Sequence, residues 1–156
     1  MNTFTHYLHT LTRTRDTYAG LALRLPLGII FAAHGAQKLF GWFGGYGLQG
    51  TGQWMASIGL EPGVLMAALA GSAEFFGGIF LLLGLFTRAT ALVLAFTMVV
   101  AIASVHLSNG LFMSNDGYEF GLALLAGAIS LMISGAGNFS ADKTLAAALA
   151  HASAKN

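Results

Sequence analysis

The chain has 156 residues, of which 56% are hydrophobic and only 8% charged, with a formal net charge of +1. About a quarter of a soluble domain's residues are charged, so this chain could not coat a water-facing surface, and its composition is that of a polytopic membrane protein. The small net charge without a basic cluster excludes a nucleic-acid partner; the absence of cysteine excludes disulfides, thiolate metal sites and thiol exchange by the chain itself.

Residues 1–18 place Phe4, Tyr7, Leu8, Leu11 and Tyr18 at helical spacing, with His6, His9 and Arg13 elsewhere on the wheel. That pattern predicts a segment lying on the membrane. It has no short apolar core followed by a small-residue cleavage motif, so the first helix is expected to be retained. Crossing about 30 Å of hydrocarbon takes about 20 apolar residues. Four stretches qualify, 20–40, 63–84, 87–107 and 118–135. They predict an all-α fold, an integral membrane four-helix bundle forming one domain over 1–156.

Local signals mark the boundaries. The glycine-rich stretch 41–62 is expected to hold a short interfacial helix around 53–58. Pro62 suits the start of the second span and Gly84 its end. Thr87 suits the cap of the third span. Asp116 and Glu119 read as a D-x-x-E capping box for the fourth, which Gly135 and Gly137 then stop. Residues 141–151 are alanine-rich and weakly amphipathic, a second candidate interfacial segment.

Lys and Arg set an expected orientation. Arg13, Arg15, Arg24, Arg88, Lys143 and Lys155 fall at one side of the predicted spans, and only Lys38 falls at the other. The positive-inside rule then puts both termini in the cytoplasm of a bacterial plasma membrane protein. Phe40, Trp42, Phe43, Tyr46, Trp54, Phe112 and Tyr118 gather at the outer interface as an aromatic belt would.

Glu74 is the one charge between Leu65 and Leu85. At 100° per residue, Ala67, Ala70, Gly71, Gly77 and Gly78 share its face, and Leu65, Leu69, Phe76, Ile79 and Leu83 lie opposite. Small residues let helices approach closely in a membrane, so Glu74 is expected to face a neighbour. The other spans show corresponding stripes: Arg24, Phe31, His34, Gly35 and Lys38; Arg88, Ala95, Val99 and His106; Glu119, Ala123, Ala126 and Ser130. Counting the rise per residue makes Glu74 and His34 a deep pair, with Lys38, His106 and Glu119 nearer the outer surface. An unpaired charge near the bilayer centre costs at least about 3 kcal/mol, so Glu74 is expected to be protonated or bonded to His34 or another interior group. His34, Lys38, Glu74, His106 and Glu119 are the candidate pocket residues, with His34 and Glu74 the candidates to touch a cofactor. Lys38 also reads as a snorkelling interfacial lysine. A metal site from His34, Glu74 and His106 is set aside because their depths differ. No catalytic constellation is visible.

The segments "RLPLGIIFAAHGAQKLFG", "AEFFGGIFLLLGLFTRATAL", "HLSNGLFMSNDGYEFGLALL" and "GAGNFSADK" resemble, in this order, the DoxX family of small bacterial membrane proteins. The resemblance runs from about Arg24 to Lys143. It implies a four-helix bundle in the plasma membrane and, because some relatives are subunits of thiosulfate:quinone oxidoreductases, a quinone-linked redox role. The expected function is therefore a redox-associated subunit whose outward-facing polar pocket binds a quinone-like group. The alternatives are a small-solute or proton transporter, or a non-catalytic assembly partner. The bilayer is the expected surrounding, with redox or membrane proteins, or further copies of the chain, as candidate partners.

Overall fold

The computed structural model of the protein describes residues 17–154 together with Thr12 and Thr14. The expected interfacial segment 1–18 thus lies almost wholly outside the described residues. Within them, every regular element is helical. Helix α1, Ala19–Phe40, ends at Gly41, whose φ of 72° reverses the chain. Helix α2, Gly47–Ser57, begins earlier than the short helix expected around 53–58. Helix α3, Gly63–Leu83, starts directly after Pro62 and stops at Gly84, where φ is 62°. Only glycine takes that left-handed conformation without steric cost, so the stop is written into the residue type.

Helix α4, Thr87–Ala101, runs on through a π turn, Ile102–His106, and a 3-10 turn, Leu107–Asn109. Helix α5, Glu119–Ser134, ends at Gly135, and α6 spans Ala141–Ala154. Helices α1 and α3 and the continuous rod Thr87–Asn109 are long and apolar enough to cross a membrane. Helix α5 is apolar but has 16 residues, about 24 Å at 1.5 Å per residue. It is the fourth apolar helix of the bundle, one turn or so short of full span length.

The helices associate as two close pairs, α1 with α3 and α4 with α5. Glycine makes the first pair possible. A Cβ on Gly28 would lie 2.8 Å from the Gly78 carbonyl oxygen, and one on Gly35 or Gly78 would overlap backbone atoms of Phe75 or Ala32. This is the small face predicted for α3: Ala67, Gly71, Glu74 and Gly78 are buried, whereas Leu65, Leu69, Phe76 and Leu83 are exposed toward lipid. Leu27, Phe31, Leu81, Ala91, Leu94, Met98, Leu124 and Leu131 fill the space between the pairs.

Two stripes differ from expectation. In α4 the buried positions are Thr87, Thr90, Ala91, Leu94, Ala95 and Met98, and Val99 is exposed. In α5 the buried residues are Leu124, Ala128 and Leu131, so the small stripe Ala123, Ala126 and Ser130 faces outward. Large aliphatic side chains pack on α5 from two neighbours, with Gly121 admitting Ile102 of the π turn and Gly127 admitting Leu27 of α1. Small size alone does not mark the inner face when a neighbour supplies side chains rather than backbone.

Arg24 fastens the end of the bundle away from residues 41–62. Its side chain is 1% exposed. Its guanidinium donates to the carbonyls of Leu81, Leu82, Ala136 and Phe139. The last carbonyls of a helix have no intrahelical donor, and five N–H groups on one planar head can serve several at once. Arg88 repeats the device on a smaller scale, donating to the Met132 carbonyl at 2.8 Å.

The expected caps are replaced by others. Thr87 Oγ1 is buried without a hydrogen bond. Instead Asp142, at the start of α6, accepts from the backbone N–H groups of Phe86 at 2.7 Å and Thr87 at 2.8 Å. A carboxylate from a remote segment thereby satisfies the open N-terminus of α4 and complements its dipole. Asp116 does not cap α5 either. It sits in a left-handed turn at φ 56°, and α5 starts after Tyr118 with no side-chain cap.

Candidate functional site

At the end of the bundle opposite Arg24 the two helix pairs leave a cavity of about 820 Å³. Phe31, Met98 and Leu124 close it toward the core, and Thr51, Trp54 and Met55 of α2 bound another side. Its volume lies within the roughly 300–1,000 Å³ typical of small-molecule sites, which combine an apolar lining with a few placed polar groups.

The central polar feature is an ion pair. Lys38 Nζ lies 2.6 Å from Glu74 Oε2, with the side chains 23% and 5% exposed. The expected deep pairing of Glu74 with His34 is therefore not what forms, and Lys38 does not snorkel outward. The reason is the lean of helical side chains. Every Cα–Cβ bond tilts toward its helix's N-terminus. Helices α1 and α3 run antiparallel, so Lys38 leans down into the bundle and Glu74 leans up to meet it. His34, one turn deeper on α1, leans away from Glu74. Its ring packs instead against Phe120, centroids 6.1 Å apart.

His34, Lys38, Glu74 and His106 all line the cavity. Glu119 does not. Its Oε1 accepts from the Met113 backbone N–H at 2.6 Å, bracing the 3-10 turn Met113–Asn115. No three His, Asp or Glu side chains converge among the described residues.

His106 reaches the cavity because of the π turn that carries it. A π turn holds more residues per turn than an α turn, so it swings the residues beyond it back toward the stripe begun by Leu94 and Met98. The ring is then fixed by a 2.7 Å contact between Nδ1 and the backbone carbonyl of Asp116. Three other polar groups of the lining bond within the protein. Thr97 and Ser104 hydroxyls donate to Val93 and Val100 carbonyls of their own helix, and Gln37 donates to the Phe43 carbonyl. Sequence reasoning overlooked this turn: no residue type in Ile102–His106 marks it, and only the mismatch between Val99 and the buried stripe points to it.

A family model described as DoxX matches residues 19–107, the segment that contains His34, Lys38, Glu74 and His106. The Bacillus subtilis (strain 168) protein named "Putative oxidoreductase CatD" is 37% identical over 115 residues, covering 74% of this chain and 78% of that one. The protein named "Uncharacterized membrane protein Rv3486" of Mycobacterium tuberculosis is 33% identical over 136 residues, covering 80% of each chain. No solved structure matches the chain.

Proposed function

Since the chain belongs to the DoxX family of membrane proteins, we propose that it is a multi-pass plasma-membrane subunit associated with redox chemistry, holding a quinone-like head group beside Lys38 and Glu74. The observation that carries this reading is the buried 2.6 Å ion pair on the wall of an otherwise largely apolar cavity. Ionised side chains within a membrane domain are costly and usually mark a working site. A planar ring with polar oxygens and an apolar tail suits such a lining, with Trp54, Phe120, Met55 and Met98 against its faces. The name of the Bacillus relative, that of an oxidoreductase, points the same way. In this reading the positive-inside rule sets both termini in the cytoplasm, so the cavity belongs to the outer half.

Transport ranks lower on one observation. Between the cavity floor and Arg24 the buried core is Leu27, Leu81, Leu94 and Leu131, with no ionisable side chain among the described residues there to relay a charge.

Extraction from native membranes, followed by mass spectrometry of bound lipids, tests the proposal. Quinone in either redox form is expected with the wild-type protein and absent from a folded Lys38→Met/Glu74→Leu variant. Equal quinone in both, or in neither, would refute it.

A further inference from the structure

We propose that the cavity selects the reduced, hydroxyl-bearing form of an aromatic ring compound over its oxidised quinone. This rests on the reading above and adds the redox form of the ligand. Two atoms carry it. Asp116's backbone carbonyl can only accept, so the Nδ1 of His106 that meets it at 2.7 Å carries the proton. In the neutral ring that leaves Nε2 as a bare acceptor. No hydrogen bond occupies that nitrogen among the described residues, and His106 lines the cavity. The second atom is Glu74 Oε1. Lys38 takes Oε2, whereas Oε1 has no partner on a side chain that is 5% exposed and lines the same cavity.

Charge narrows the ligand further. Lys38 and Glu74 neutralise one another, and Asp116, the other charged residue of the lining, is exposed. The buried part of the site is therefore neutral and favours neither an anion nor a cation. What it lacks is donors for two acceptors. An oxidised quinone brings only carbonyl oxygens, which would face Nε2 and Oε1 lone pair to lone pair. A quinol brings two O–H groups, and its oxygens can still accept from the remaining Lys38 protons. An acceptor that a ligand strips of water and leaves unmatched costs roughly a factor of ten in affinity.

The test uses purified full-length protein in lipid nanodiscs, titrated under argon with decylubiquinol and, separately, with decylubiquinone. The quinol is expected to bind at least about tenfold more tightly. His106→Phe, which keeps a ring but removes the acceptor, is expected to weaken quinol binding about tenfold and so to erase most of the preference over quinone. Quinone binding as tightly as quinol, or more so, would overturn this inference and leave the quinone reading standing. Binding of neither would overturn both. The wild-type comparison decides the matter even if the His106 variant fails to fold.

Discussion

Removing Lys38 should destabilise the bundle more than removing Glu74, and removing both should cost little. Glu74 is 5% exposed and Lys38 23%, so the two partners have different escapes. In Lys38→Met the carboxylate stays buried with no cation, a loss of about 3–5 kcal/mol. In Glu74→Gln the amide oxygen still accepts from Lys38, and the long lysine stem can withdraw its head toward the interface. That loss is about 1–2 kcal/mol. In Lys38→Met/Glu74→Leu both charges vanish and apolar groups of similar volume replace them, which should land within about 1 kcal/mol of wild type. Unfolding by sodium dodecyl sulfate in mixed micelles, followed by circular dichroism, measures all four proteins. If Glu74→Gln proved the worse single change, or the double variant lost the sum of both singles, the pair would not be the buried unit described here.

Three other outcomes are expected. Gly35→Ala should lower the melting temperature sharply because its Cβ would overlap the Phe75 backbone, whereas Phe76→Leu, on a side chain 52% exposed to lipid, should change it little; similar melts would refute the α1–α3 contact. Arg24→Met should cost about 3 kcal/mol or more by leaving the Leu82, Ala136 and Phe139 carbonyls without the guanidinium that serves them, and Arg24→Lys should recover only part of it, because an ammonium cannot span the same carbonyls; a fully stable methionine variant in the same assay would contradict the buried hub. Reporter fusions after Lys143 should read cytoplasmic and insertions at Gly50 external, and the reverse pattern would invert the proposed orientation.

Much of this arrangement was legible in the residues. Wheel geometry identified the close-packing face of α3 because glycine and alanine there meet backbone, as Gly78 meets Ala32. The same logic failed on α5, whose neighbours present the Ile102 and Leu27 side chains and need no small stripe. Depth counted along Cα atoms paired Glu74 with His34, when side-chain lean on antiparallel helices brings it to Lys38. Arg24 was legible as a charge near a helix start, but its carbonyl partners lie 57 to 115 residues away in sequence. Contacts over that separation leave no local periodicity to read.

The cap on α4 has a consequence for biogenesis. The N–H groups of Phe86 and Thr87 are answered by Asp142, a residue made more than fifty positions later. As the chain emerges, α3 and α4 can enter the bilayer as a hairpin while the start of α4 still relies on water or lipid headgroups. Only when the start of α6 arrives does its carboxylate displace them and tie residues 84–87 to it. Completion of the bundle thus waits on the synthesis of α6, and a chain released before Asp142 would carry all four apolar helices yet lack the closure that joins α6 to residues 84–87.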